Sequence, residues 1–210
     1  MIEKLTEEDI KMLAKDRFTF YCDMRDFFRA AEYSIALKYI DEKITKNLQI
    51  SSYDLIGNKF NGFDLHLDLR KNGIDSKQLV LFKQSSDINT YSYDFEKKDS
   101  TKELLQQKIF FDADLVHLHL IHNIIDLNYL PIMSRLKPLV ISLHDPFFLG
   151  GHCVHHFDCE KWKTHCNDCP YLNEMFALNK DISSLNFELK RQAIQNSQIS
   201  AIVSSNWMKK

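Results

Sequence analysis

From Asn47 onward, short apolar runs alternate with stretches of helical character, and this alternation restricts the fold more than any other feature. Leu48 to Tyr53, Leu79 to Phe82, Asp114 to His119, Leu139 to Leu143 and Ile199 to Val203 are strand-sized runs rich in Leu, Ile and Val. Residues 63–69, 101–110, 124–136 and 184–195 read as helices between them. Parallel strands need a long crossover, usually helical, and strands covered on both faces read as near-continuous apolar runs. The pattern predicts an α/β fold: a Rossmann-like parallel sheet sandwiched by helices, with right-handed crossovers. Asn72-Gly73 marks a helix end with a left-handed glycine. Pro131 interrupts 124–136, because an interior proline removes a helix hydrogen bond. Residues 84–100, rich in Ser, Asp, Asn and Lys, read as a loop.

Residues 1–45 read as a helical N-terminal extension and 46–210 as the Rossmann-like domain. Thr6 followed by Glu7-Glu8-Asp9 has the form of a helix start. Phe28, Ala31, Ile35 and Tyr39 fall on one helical face. A length of 210 residues accommodates one ample α/β domain but not two nucleotide-binding-type domains with a linker. A formal net charge of −2 supplies no field that would draw in nucleic acid. No run approaches the roughly 20 apolar residues of a membrane span, and Met1 does not open a secretory signal. The expected compartment is the cytoplasm, where thiols stay reduced.

Ligands of open parallel sheets bind outside the carboxyl ends of the strands, which selects four loops. In the first, Asp54 to Gly62, the glycines Gly57 and Gly62 would let a ligand approach backbone amides. Its spacing is neither a dinucleotide fingerprint nor a Walker loop, so a nicotinamide-dependent oxidoreductase is a weak reading; a tight turn is the plain one. The second holds His117 and His119 on one strand face, with His122 beyond. These could contact a ligand or a metal, or could be core histidines; no carboxylate sits close by, and zinc takes three or four ligands. The third is His144-Asp145, which could supply a base or grip sugar hydroxyls. Alternatively, Asp145 caps the turn that Pro146 begins.

The fourth loop follows Gly150-Gly151. Cys153, Cys159, Cys166 and Cys169, four of the five cysteines, fall within 17 residues together with His152, His155, His156 and His165. Only Cys166 and Cys169 have the knuckle spacing common in zinc sites, but four thiolates in so short a loop fit a tetrahedral structural zinc, and one of the interleaved histidines could replace a thiolate. Disulfides, disfavoured in a reducing compartment, and free thiols are the alternatives. Four thiolates would close the coordination shell, so a catalytic zinc is not expected. The remaining cysteine, Cys22, reads as a small apolar residue. Lys161 and Lys163 are too few to make this segment a nucleic-acid knuckle.

Several of these residues recur in one known order: Gly57, Asn61-Gly62, Leu65, Gly73-Ile74-Asp75-Ser76, Asp114 to His119, Leu143-His144-Asp145, Gly151-His152-Cys153, Cys159, Lys161-Trp162-Lys163, Cys166, Cys169-Pro170 and Val203 to Trp207. Over roughly 48–210 the chain resembles the N-terminal, acceptor-side domain of family-4, GT-B fold glycosyltransferases, in the branch of bacterial polysaccharide and colanic-acid-type synthesis. The cysteine–tryptophan segment is the specific part of that resemblance.

The resemblance implies retaining transfer from a nucleotide-sugar donor to a glycan or lipid-linked acceptor, without a catalytic metal. It places His119 against the donor sugar, with His122 as second choice, and His144 and Asp145 on the acceptor side. It places the Gly57, Asn61 and Gly62 loop toward donor phosphates or acceptor, and Ser205 and Trp207 near a domain junction. Gly57-Asn58 stands where many relatives carry adjacent glycines. The donor-binding C-terminal domain has no counterpart in the 210 residues, so the chain alone is expected to be nearly inactive, with that half supplied in cis or in trans. A lipid-linked acceptor leaves peripheral membrane contact open. The competing reading is a non-enzymatic glycan- or nucleotide-binding module with a zinc-stabilised loop.

Overall fold

Strands β1 (Lys46–Tyr53), β2 (Asp75–Phe82), β3 (Thr90–Ser92), β4 (Leu115–His119), β5 (Leu139–Leu143) and β6 (Ile199–Val203) form one sheet in the order β3-β2-β1-β4-β5-β6. Every pairing is parallel, as the alternation predicts. The computed structural model describes residues 44–57 and 61–203. The expected helical extension, as far as residue 43, and the positions Cys22, Ser205 and Trp207 lie outside the described residues. Helices α1 (Phe63–Lys71), α2 (Ser100–Leu104), α3 (Lys108–Asp112), α4 (Leu130–Leu136) and α5 (Ser183–Gln195) supply the crossovers other than that from β2 to β3, which runs through a helix-free segment, giving a Rossmann-like α/β arrangement. Among the described residues no helix is long and apolar enough to cross a membrane.

The two faces of the sheet differ. Leu48, Ile50, Val116, Leu118, Leu139 and Ile141 pack with Phe110, Leu130, Met133 and Phe147 in the main core. Fully burying each such side chain stabilises by about 1.5–3 kcal/mol. On the other face, Ile44, Leu65, Leu69, Leu115 and Val140 form a smaller cluster. Beside it lies a buried polar stripe: Asn47, Gln49 and Ser51 of β1, Ser76 and Gln78 of β2, and His117 and His119 of β4. A parallel strand is expected to be apolar on both faces; here hydrogen bonds offset the cost of burying amides, hydroxyls and imidazoles.

Three local expectations need correction. Residues 84–100 contain β3, which pairs with β2 through Thr90 to Ser92. A three-residue edge strand carries too little periodicity to announce itself. The stretch 101–110 divides into α2 and α3 around a turn at 105–107. In 124–136 the helix starts late: a 3-10 turn at Leu127–Tyr129 leads into α4, with Pro131 in the first turn, where its missing N–H is not needed. Gly73 does end α1 in the left-handed region, at φ 86°.

Candidate functional site

Sheet order reverses at β1, which pairs with β2 on one side and β4 on the other. The crevice outside the carboxyl ends of β1 and β4 is therefore the topological switch point, the general ligand position in such sheets. The loop after β1 is braced from both ends. Buried Asp54 accepts hydrogen bonds from the backbone N–H of Leu55 (2.9 Å), Gln84 (2.8 Å) and Ser85 (2.8 Å), tying the end of β1 to the end of β2. Burial pushes the Asp54 carboxyl up, but bonds from Ser85, Gln84 and Leu55 outweigh it and hold it below the ordinary value. Gly57 and Gly62 both lie in the left-handed region, at φ 65° and 74°. Between them Asn61 donates its N–H to Gly57 O (3.0 Å) and its side-chain amide to Ile56 O. Its buried Oδ1 has no partner among the described residues.

Gly62 lies directly over His119. A Cβ at Gly62 would stand 2.4 Å from His119 Nε2 and 2.9 Å from Gln49 Oε1. His119 Nε2 donates to Gln49 Oε1 (2.5 Å), and Gln49 Nε2 donates to Asn47 Oδ1 (2.6 Å). An amide oxygen only accepts, so the His119 proton sits on Nε2 and the buried Nδ1 carries the lone pair. The His117 ring lies 3.9 Å away and its Nε2 meets Ser142 Oγ at 2.9 Å. The His144 ring stacks on His119 at 6.1 Å. All three imidazoles are held neutral. Burial, then repulsion from His144, pushes His117 down to about 3. Burial, then repulsion from His117 and His144, holds His119 well below its ordinary value. Burial lowers His144 to about 4, with Asp145 opposing.

Neighbours in sequence therefore part in space: His144 joins the histidine stack, while Asp145 joins His122. His122 Nε2 lies 3.2 Å from Asp145 Oδ1 and 3.1 Å from Oδ2. The side chains are 12% and 23% exposed, so this pair can meet a solute, whereas His119, 3% exposed, is covered. Asp145 also caps the turn Pro146–Leu149 by accepting from Phe147 N (2.9 Å), so the capping reading holds as well. Phe147 stands edge-on to the His122 ring at 4.4 Å and Phe176 lies 5.1 Å from it. A shallow cavity lined by Ile121, His122, Ser142, His144, Asp145 and Phe148 opens there. A carboxylate-oriented imidazole at such an edge can bind a hydroxyl and exchange its proton.

The cysteine segment forms a second cluster. Cys153, Cys159, Cys166 and Cys169 are all free, and all four line one cavity with His152, His156 and Trp162. Cys166 Sγ accepts from Gly151 N at 3.3 Å, and Cys169 Sγ lies 3.9 Å from His152 Nδ1. The His156 ring stacks on Trp162 at 4.7 Å. Among the described residues no three His, Cys, Asp or Glu side chains stand in a metal-holding arrangement.

Two participants escape sequence reasoning. Lys190 of α5, 4% exposed, donates to the carbonyls of Phe147 (2.7 Å), Gly150 (3.0 Å) and Gly151 (3.2 Å). Burial pushes its ammonium down to about 7, with Cys153, Cys166 and Asp145 opposing. A lysine on a polar helix gives no local sign of burial. Gln49, by contrast, carried one: Asn47, Gln49 and Ser51 alternate with Leu48 and Ile50, which marks a polar face on a central strand.

None of the protein-family models, curated proteins or solved structures compared with the chain matches it.

Proposed function

We propose that the described domain is the acceptor side of a retaining, nucleotide-sugar-dependent glycosyltransferase of the GT-B, family-4 kind that the sequence resembles. One observation carries this reading: Gly62, His122 and the His144-Asp145 step, from the loops after β1, β4 and β5, stand along one carboxyl edge of a parallel sheet beside its switch point. The His122–Asp145 pair grips the acceptor hydroxyl, and His144 lines the same cavity. His119, beneath Gly62, holds the donor-sugar side of the turn, with Gly57 toward the donor phosphates and buried Asn61 holding the turn beneath them. A second Rossmann-like domain, in cis or in trans, supplies the donor half. Transfer depends on both substrates being held together, so the domain alone turns over little. Leu55 and Ile56 beside the crevice are 45% and 57% exposed and suit the apolar part of a lipid-linked acceptor at a membrane surface.

The test is release of nucleoside diphosphate from a panel of sugar donors by this domain together with its donor half. His122→Ala and Asp145→Asn are each expected to lower kcat/KM for the acceptor by about 100-fold or more, the ordinary scale of proton-transfer and orienting groups. Turnover that is indifferent to both substitutions rejects the site. Glycan or nucleotide binding without turnover of any donor identifies a binding module instead.

A further inference from the structure

We propose that Cys153, Cys159, Cys166 and Cys169 bind one structural zinc ion, and that Lys190 is the buried counter-charge of the thiolate shell. This stands apart from the sugar-transfer reading. The first ground is convergence: four sulfurs from one short segment line a single cavity, none of them in a disulfide. Sulfurs of this number around one cavity match the donor count and donor type of a closed tetrahedral zinc shell.

The second ground is Lys190. A buried ammonium is costly unless an anion answers it. Its three N–H donors are spent on the carbonyls of Phe147, Gly150 and Gly151, which solvate the charge without neutralising it. Its ammonium also stands 3.4 Å over the Phe147 ring, which eases its burial without neutralising it. Zinc with four thiolates carries a net charge of about −2, and Lys190, gripping the loop at Gly150 and Gly151, stands where that charge needs a partner. The Gly151 N–H on Cys166 Sγ is a hydrogen bond of the kind that orients a ligand from outside the shell.

Two imidazoles line the same cavity, and His152 Nδ1 lies 3.9 Å from Cys169 Sγ, so the histidine variants separate a four-thiol shell from a mixed one. His156 stacks on Trp162, and His152 Nε2 donates to Tyr171 O at 3.1 Å. Because the sulfurs line the cavity without yet standing in a coordinating arrangement, binding draws them in to about 2.3 Å from the metal. Four S–H bonds are replaced by four Zn–S bonds and the protons leave to solvent.

The experiment uses the full chain, purified with reductant and without chelator. Elemental analysis is expected to give about one zinc per chain. Exchange with cobalt(II) is expected to give tetrahedral d–d bands and an intense sulfur-to-cobalt band in the near ultraviolet. Cys166→Ser loses most of the metal, while His152→Ala and His156→Ala keep it. Lys190→Gln weakens zinc about 10- to 100-fold in competition with a chelating dye, the usual scale for a residue supporting a ligand shell. Should the variants not fold, the wild-type zinc content and cobalt spectrum decide alone. Zinc content near zero after titration of the reduced chain, with no sulfur-to-cobalt band, overturns the site. Loss of metal in either histidine variant as complete as in Cys166→Ser overturns the four-thiol ligand set, and undiminished affinity in folded Lys190→Gln overturns the role of the lysine.

Discussion

Lowering the pH from 7 to 5 is expected to destabilise the domain by several kcal/mol before its carboxylates begin to titrate. His117, His119 and His144 are buried and neutral in the folded chain, at about 3, well below the ordinary value, and about 4 respectively, against 6.5 for an unperturbed imidazole. The unfolded chain takes up protons at these positions near 6.5, and the folded chain does not. Stability falls as pH falls wherever the unfolded state binds more protons. The contribution of the stack is therefore complete above the unfolded value, is lost as pH falls, and levels off below the folded values. A tenfold difference in proton affinity between the two states is worth about 1.4 kcal/mol. Three such groups together weigh heavily against a domain stability of about 5–15 kcal/mol. Lys190 does not contribute in this window, because it is protonated in both states below about 7. Urea midpoints at pH 7, 6 and 5 check the expectation. Replacing His117 by Asn should flatten the profile. A midpoint that does not move between pH 7 and 5 would show that the stack takes up protons without cost, contrary to its burial.

The parts of this architecture that could be read in the sequence are those that burial writes into local order. Leu48 and Ile50, or Leu139 and Ile141, are apolar because they face the main core, and a window of a few residues reveals this. The strand β3 could not be found that way, since Thr90 to Ser92 owe their state to the edge of β2 rather than to their own pattern. The candidate site was legible as a set of loops, because the carboxyl ends of parallel strands collect them. Its pairing was not. His144 and Asp145 are adjacent in the chain and invite a joint role, yet successive side chains at a strand end point to opposite sides. One therefore reaches the His119 stack and the other reaches His122. Lys190 and the Gly150–Gly151 carbonyls lie about 40 residues apart, and nothing local connects them.

Gly62→Ala is expected to cost about 2–5 kcal/mol, and two separable effects make up that sum. The position has φ 74°, in the left-handed region that an L side chain occupies at a cost of about 1–2 kcal/mol. The new Cβ would also stand 2.4 Å from His119 Nε2, 2.7 Å from its Cδ2 and 2.9 Å from Gln49 Oε1. Both partners are buried and hydrogen-bonded to each other, so neither swings aside freely. Overpacking of this kind costs about 1–3 kcal/mol. Gly73 separates the two effects: it has φ 86° but nothing within 4 Å of the place a methyl group would take, so Gly73→Ala should cost only the backbone part. A second separation comes from the His119→Ala background, which removes the two closest contacts and leaves the backbone cost and the contact with Gln49 Oε1. The double-mutant cycle between positions 62 and 119 should therefore show a coupling of about 1–3 kcal/mol, far above that of residues that do not touch. Urea midpoints of the four proteins measure it. If Gly62→Ala costs no more than Gly73→Ala and the cycle shows no coupling, the turn after β1 does not close over His119. In that case the imidazole is open from the crevice between β1 and β4.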